Sequence, residues 1–312
     1  MVQAQNILGK QFFGPQNVFG QPLTIFGLPV DRKTIFMNHK GRYKARIEKR
    51  QRRLIAKTTF VNFFLKTNER ICCLTTGYSP ITALEQLLTG LAFLFFKRAF
   101  FIFTDNRILH LPARIDHFSP SAISQILFED CARIEIKGRA LVMHYKTGKQ
   151  EMFPYINRRE RPRIKSLLKK ITLEPKEAGK LHGRAYLCPS CTQVLEEKTT
   201  VCSACKLQFK SVVQAKVRAL LIPAGGYFYN NYPVFGFAVG ILESMLLAAF
   251  VFQWSHYHSG TPVNLGVMLL LGGALIIEKI IACFHSQKLT QELIPEEKEF
   301  AMRKVSPASL RA

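Results

Sequence analysis

Residues 234–254 read VFGFAVGILESMLLAAFVFQW, and residues 263–284 read VNLGVMLLLGGALIIEKIIACF. Each apolar run has about the ~20 residues that an α-helix needs to cross the hydrocarbon core of a bilayer. The short connection between them has no Lys or Arg, whereas cations lie before the first run and after the second. The positive-inside rule therefore predicts a transmembrane hairpin over 233–285 with both termini in the cytoplasm. A buried helical hairpin in a soluble domain is the alternative.

Three ionisable residues lie inside these apolar runs: Glu243 in the first, and Glu278 and Lys279 in the second. Placing a charge in lipid costs roughly 2.5–3.5 kcal/mol on insertion scales, so such side chains are expected to face one another or a partner. The hypothesis is that Glu243 pairs with Lys279 across the hairpin. A packing role without transport is favoured over an ion pathway, because two helices alone enclose no pathway.

A repeat of small residues follows one face of the first run, at Gly236, Gly240 and Ser244. Such a face lets another helix approach closely, so it is a candidate surface for a homo-oligomer. Just upstream, residues 211–232 form an elbow in which Pro223 and two glycines are expected to break any helix. Its tyrosines suit the headgroup layer of a membrane.

Four of the eight cysteines form two C-x2-C pairs, Cys188 with Cys191 and Cys202 with Cys205. Two such knuckles predict a structural Zn²⁺ site with four thiolates and no open position for catalysis. A redox dithiol is the alternative. Unlike a disulfide framework, this pattern indicates a reducing compartment. Residues 186–210 resemble the short zinc ribbons of bacterial membrane proteins, which commonly have Gly where this chain has Thr192 and Lys206.

The central domain, residues 59–172, contains a stretch at 69–156 that alternates and turns like β structure. Ala99–Leu111 turns at Asp105-Asn106, and two further strands flank Lys137-Gly138-Arg139. Pro162 then opens a helix with one apolar stripe. These patterns predict a small antiparallel sheet or barrel capped by a helix. An apolar insertion, residues 79–96, begins with a capping box and is either buried or in contact with the membrane interface.

The motif FFIFTDNRILHL at residues 100–111, with the preceding Glu69–Ile71 strand, resembles bacterial pleckstrin-homology-like (PH-like) domains. The resemblance covers roughly residues 60–172. It implies a bent sheet capped by a C-terminal helix, and a binding or assembly role instead of catalysis. It implies no particular ligand residue.

The chain is strongly basic, with a formal net charge of +23. Almost all of this charge lies in residues 1–210, which favours an anionic partner. Within the N-terminal arm, residues 1–58, one segment concentrates nine cations against a single acid. Anionic lipid, nucleic acid and a solvated helix face are the three interpretations. The cations of this basic segment are Lys40, Arg42, Lys44, Arg46, Lys49, Arg50, Arg52, Arg53 and Lys57.

Taken together, these features predict an α+β multidomain membrane protein of the bacterial cytoplasmic (inner) membrane. A linker at 173–185 separates the β domain from the ribbon, and a cytoplasmic tail follows at 286–312. No cleavable signal peptide and no catalytic motif is recognised. The expected function is that of a membrane-anchored cytosolic binding or scaffold protein that engages anionic lipid or a protein partner. A membrane-attached nucleic-acid binder and a subunit of a transport or envelope enzyme complex are the alternatives.

Overall fold

The computed structural model describes residues 23–90, 97–113, 123–171, 183–196, 199–260, 262 and 264–296. The fold is a mixed α+β structure with an eight-stranded sheet, a three-stranded sheet and two long apolar helices towards the C-terminus. The strands are β1 (Leu23–Ile25), β2 (Leu28–Val30), β3 (Ile71–Tyr78), β4 (Arg98–Thr104), β5 (Arg107–Pro112), β6 (Ile123–Leu127), β7 (Cys131–Lys137), β8 (Ala140–Tyr145), β9 (Gln150–Phe153), β10 (Ala185–Leu187) and β11 (Val194–Leu195).

Six of the helices in the described residues are short, and the last two are long and rich in apolar residues. They are α1 (Arg32–Ile35), α2 (Ala45–Lys57), α3 (Ala83–Thr89), α4 (Arg161–Leu168), α5 (Val212–Leu221), α6 (Gly225–Tyr229), α7 (Pro233–His258) and α8 (Leu265–Thr290).

The large sheet has the strand order β1-β2-β3-β4-β5-β6-β10-β11, and the small sheet has the order β7-β8-β9. Every pair is antiparallel except β2 with β3. The expected turns are present: β4 and β5 are joined at Asp105-Asn106, and Gly138 adopts φ +59° between β7 and β8. That left-handed conformation is one that glycine adopts without strain.

The sheet is open, so of the two expected forms, a sheet or a closed barrel, the sheet is confirmed and the barrel is not. Strand β6 pairs with β5 on one edge and with β10 on the other, which leaves it no edge for β7. A short 3-10 turn, Phe128–Asp130, instead carries the chain from β6 into the separate small sheet. Closure fails because a strand from beyond the helical cap occupies the position that a barrel would need.

The large sheet is covered on both faces. One core lies between it and the small sheet, where α4 contributes Ile164 and Leu167 as the sequence pattern predicts. The other core lies beneath residues 23–65 and includes Leu28, Ile35 and Ile55. Residues 23–58 therefore pack onto the sheet, and the side chain of Gln51 on α2 bonds both the amide and the carbonyl of Leu74 in β3.

A buried ion pair lies at one end of the large sheet, within the motif that carries the PH-like resemblance. Arg107 donates from Nε and Nη2 to the two oxygens of Glu69 at 2.8 and 2.7 Å, and Thr104 Oγ1 donates to Glu69 at 2.7 Å. Burial opposes ionisation of Glu69, but the hydrogen bonds from Arg107, the Lys66 amide and Thr104, with the charge of Arg107, together outweigh it and hold the pKa of Glu69 below its ordinary value. Arg107 also donates to the carbonyl of Phe64, so its guanidinium links β5 both to Glu69 and to Phe64.

Replacing Arg107 with Ala should lower the free energy of unfolding by about 3–5 kcal/mol, because Glu69 is then left as a buried, unpaired carboxylate. Arg133→Ala is the matched control, since Arg133 pairs with Glu135 on an exposed surface where such pairs contribute up to about 1 kcal/mol. Urea unfolding of the detergent-solubilised full chain, followed by circular dichroism, measures both. Equal losses for the two variants would show that the buried pair has no special structural role.

Helices α7 and α8 each contain 26 residues and are long and apolar enough to cross a membrane. Each spans roughly 39 Å at the usual rise of ~1.5 Å per residue. His256 and His258 lie in the last turn of α7. Asn264 caps α8 by accepting hydrogen bonds from the amides of Gly266 and Val267.

Candidate metal centre and the base of the helical hairpin

The two knuckles bring all four cysteines together. The sulfur atoms of Cys188, Cys191, Cys202 and Cys205 all lie within 4.8 Å of one another. Two Sγ···Sγ distances, Cys188 to Cys205 and Cys191 to Cys202, are 3.6 Å. A metal ion bound tetrahedrally by four thiolates at ~2.3 Å would separate the sulfurs by roughly 3.8 Å. The cluster therefore fits a four-coordinate metal ion.

The two knuckles have matching backbones. The amide of each first cysteine, Cys188 or Cys202, donates to the carbonyl five residues later at 2.8 or 2.9 Å. Each first cysteine's own carbonyl accepts from the amide of Thr192 or Lys206 at 2.9 Å. Thr192 and Lys206 have φ +62° and +57°, the left-handed conformation that glycine adopts freely. The chain keeps the turn while lacking the glycine that zinc ribbons commonly have there.

Other cysteines have a different character. Cys72, Cys73 and Cys131 are buried in the sheet, and burial raises the pKa of each thiol to about 12. Burial thus favours the neutral thiol at all three positions. Geometry, and not acidity, distinguishes them from the four-cysteine cluster, where burial also raises the pKa of Cys188.

The ribbon joins the large sheet to the end of the hairpin. Strand β10 pairs with β6, and the tail after α8 pairs with the ribbon's last residues. The amide of Lys210 donates to the carbonyl of Ile294 at 2.9 Å, and the amide of Glu296 donates to the carbonyl of Gln208 at 3.0 Å. Leu293 packs into the small core formed around Cys188 and Cys202. We call this contact of the large sheet, the ribbon (residues 186–210) and the tail after α8 (residues 291–296) the joint.

We expect one bound metal ion per chain, lost on replacing Cys202 with Ser, because three thiolates cannot close the site. Loss of the metal should also destabilise the joint, since in small metal-bound modules binding free energy is folding free energy. Elemental analysis of the purified full chain measures the metal. Cys283→Ser, which lies outside the cluster on α8, is the control and should retain the metal fully. Unchanged metal content in Cys202→Ser would contradict the site.

A break in the helical backbone lies at the base of the hairpin, between α5 and α6. Ala224 at this break is left-handed, with φ +52°. Its amide donates to Glu243 Oε2 at 2.9 Å, and Lys279 Nζ donates to the carbonyl of Ala219 at 3.1 Å. Glu243 and Lys279 also form an ion pair with each other. The pair thus supplies an acceptor and a donor to backbone groups that a broken helix leaves without partners.

Glu278, the third ionisable residue of the hairpin, lies beside Lys279 on α8. Its Oε2 atom is buried and has no hydrogen-bond partner among the described residues. The structure therefore brings Glu243 and Lys279 into one bonded unit with the elbow and places Glu278 next to it.

The elbow is packed inward. Tyr227 and Tyr229, expected in the headgroup layer, are buried. The Tyr227 hydroxyl lies 2.6 Å from His285 Nδ1, and burial raises the pKa of Tyr227. Gly226 permits this closeness, because a Cβ there would overlap the Ser286 hydroxyl. Tyr227 thus anchors the elbow to α8, whereas the Tyr229 hydroxyl donates to the side chain of Gln214 on α5.

The small-residue face of α7 is used partly within the chain. A Cβ on Gly236 would lie 3.1 Å from the ring of Phe228, and one on Gly240 would lie 3.4 Å from the Cβ of Ala224. The two glycines therefore let the elbow lie against α7. Ser244, one turn further along, is exposed and continues this face away from the elbow.

The fold separates the nine cations of the basic segment into two that form ion pairs with nearby carboxylates and seven that are exposed. Arg50 forms an ion pair with the buried Glu160, and Arg52 pairs with Glu48 at 2.7 Å. The other seven cations are exposed, and five of them lie on α2 or at its start. The exposed members are Lys40, Arg42, Lys44, Arg46, Lys49, Arg53 and Lys57.

Comparison with models of protein families and with curated proteins finds no match to this chain. Sequence reasoning missed two features of the site: the pairing of residues 208–210 with the tail, and the bonding of the elbow by Glu243 and Lys279. The ionisable residues within the two apolar runs signalled the second, since such residues are expected to have partners. No comparable signal exists for the first.

Replacing Glu243 with Ala should lower the melting temperature of the detergent-solubilised chain substantially, because it leaves Lys279 without its counter-charge and the Ala224 amide without its acceptor. Glu243→Gln should cost less, since its amide oxygen can still accept from Ala224. Ser244→Ala is the control on the same turn and should be nearly neutral. In the double variant Glu243→Gln with Lys279→Met, the two effects should be less than additive. A melting temperature unchanged in Glu243→Ala would show that this carboxylate does not hold the elbow.

Proposed function

We propose that this protein is a membrane-anchored cytosolic binding or scaffold protein. Helices α7 and α8 insert as a hairpin into the bacterial cytoplasmic membrane, and both termini face the cytoplasm. The two sheets and the ribbon are then held at the inner face, where their basic surface engages anionic lipid or a protein partner.

The observation that best supports a membrane anchor is the exposed apolar surface of the hairpin. Only 11% and 6% of the most apolar windows of α7 and α8 are buried. Leu269 and Leu270, for example, are 67% and 70% exposed. Soluble monomers rarely expose contiguous apolar surface on this scale, whereas lipid solvates it. A buried hairpin in a soluble domain is the weaker interpretation, because these helices lack a protein cover in the described residues.

The insertion between β3 and β4 supports the same placement. Lys97, just before β4, forms ion pairs with Glu85 of α3 at 3.1 Å and with Glu292 in the tail after α8 at 3.5 Å. Helix α3 therefore lies beside the base of the hairpin. Leu87 on α3 is 79% exposed, which suits a side chain in contact with the membrane interface.

The metal in the joint is proposed to be Zn²⁺ with a structural role. Four thiolates in tetrahedral spacing suit zinc, and a site with four protein ligands has no open position for a substrate. Bound zinc would fasten the sheet to the hairpin through β10 on one side and Leu293 on the other. The domain would then have a defined position relative to the membrane.

The arrangement of strands supports a binding role. Strands β3–β6, followed by β7–β9 and the capping helix α4, occur in the order that the PH-like resemblance implies. The exposed cations of α2 add an electropositive face, and each cation near an anionic surface contributes about 1 kcal/mol. We therefore propose that α2 forms the main contact with an anionic surface.

The full chain in neutral nanodiscs should bind vesicles that contain phosphatidylglycerol, and this binding should weaken as salt rises. Reversing four charges on α2 and at its start (Lys44→Glu, Arg46→Glu, Lys49→Glu, Arg53→Glu) should reduce binding at least about tenfold, given the contribution of each cation. The control variant reverses Arg158, Lys165, Lys169 and Lys170, which are also exposed but lie near α4. Co-sedimentation measures vesicle binding, and a parallel gel-shift assay measures RNA binding.

Two outcomes would contradict this proposal. Tight RNA binding without vesicle binding would favour a nucleic-acid-binding role for the basic surface. Recovery of the full chain in the supernatant without detergent, after high-speed centrifugation, would remove the membrane anchor.

A further inference from the structure

A cavity of about 550 Å³ lies where the sheets, the ribbon and the hairpin base meet. Its walls come from β9 and β10, from the ribbon, from the start of α5 and from the end of α8. A volume of ~300–1,000 Å³ is typical of sites for small ligands. If α7 and α8 are inserted as proposed, the cavity lies at the cytosolic ends of the membrane helices, at the depth of lipid headgroups.

The described lining favours an anion. It contains three cations, Lys149, Arg184 and Lys210, against one carboxylate, Glu151. Arg184 is held in place by Glu151 at 3.1 Å and by the ring of Tyr186, so its guanidinium is fixed without the ligand. Lys149 is exposed and can close on a ligand from the mouth of the cavity.

Neutral hydrogen-bonding groups complete the polar wall. Hydroxyls of the ribbon and of α8, and the side-chain amides at the end of α8, line the same space. Together with the cations, these donors suit the oxygen atoms of a phosphate and of a glycerol group. They are Thr200, Ser211, Gln287 and Gln291, whereas the Thr199 and Thr290 hydroxyls, which also line the cavity, donate to the carbonyls of Val201 and Ser286.

An apolar track leaves this cavity along α5. Val213 lines the cavity and is 70% exposed. Val217, Leu220 and Leu221 follow at intervals that place them on the same helix face, and all three are exposed. Lys279 bonds the carbonyl of Ala219, so the far end of α5 lies level with the middle of α8. The track therefore leads from a polar cavity towards the depth of acyl chains.

We infer that this cavity binds the headgroup of an anionic glycerophospholipid, with its phosphate near Lys149 and Arg184 and an acyl chain along α5. The inference rests on the proposed membrane anchor and goes beyond it by assigning one lipid to one site. A free phosphate compound would satisfy the cations but would leave the apolar track of α5 uncovered, which is the reason to choose a lipid.

The test uses the full chain reconstituted in nanodiscs with equal amounts of phosphatidylglycerol and phosphatidylcholine. After transfer into mild detergent, native mass spectrometry counts the retained lipid. We expect about one phosphatidylglycerol per chain. Lys149→Glu and Thr200→Trp should each reduce its retention about tenfold, since the first removes a charged hydrogen bond to the phosphate and the second fills the cavity with the Trp side chain. Lys137→Glu, the same charge change at an exposed turn away from the cavity, should retain the lipid.

Melting temperatures of the variants show whether they are folded; both altered positions are exposed, so we expect little change. Equal retention of both lipids, or wild-type retention in both cavity variants, would overturn the inference. Displacement of phosphatidylglycerol by inorganic phosphate alone would also overturn it, in favour of a soluble phosphate ligand. A chain that needs detergent for extraction but retains no phosphatidylglycerol contradicts only this inference. A chain soluble without detergent contradicts the proposed anchor itself.

Discussion

The contact on which the architecture depends is the joint, where backbone hydrogen bonds run from the large sheet through the ribbon to the end of α8. Strand β10 extends the sheet by pairing with β6, and Lys210 and Gln208 pair with the tail on the other side. A four-cysteine module is too small to form a large core of its own, and Leu293 from the tail completes it. The stability of the ribbon therefore depends both on the metal ion proposed to bind there and on its contacts with the tail after α8.

The hairpin base obeys a second constraint, which is the need of every backbone polar group for a partner where water is excluded. The break between α5 and α6 exposes an amide and a carbonyl, and Glu243 and Lys279 satisfy one each. Their mutual ion pair neutralises the two charges at the same time. The positions of Glu243 and Lys279 within the apolar helices are thereby explained by the fold of the elbow.

The features predicted correctly from the sequence are those with a local signal. Two apolar runs of sufficient length became α7 and α8, two C-x2-C turns became one cluster, and the apolar stripe after Pro162 became α4. The missed features depend on distant partners. Arg50 looked like a free surface cation, but its partner Glu160 lies 110 residues away. The barrel expectation failed for the same reason, because β10 reaches β6 from beyond a segment with no β pattern.

The joint also couples the metal cluster to the inferred lipid site. The cavity takes walls from the ribbon, the sheet and α8, so it exists only while these three parts are assembled. A ligand that binds only the assembled state stabilises it by an amount that rises with the logarithm of the free ligand concentration above its Kd, and by the same linkage a metal ion bound at the cluster would strengthen lipid binding. Thr200 from the ribbon and Gln291 from the tail line this one cavity. The position of the cytosolic sheets relative to the membrane would then depend on both ligands, although neither touches the basic surface of α2.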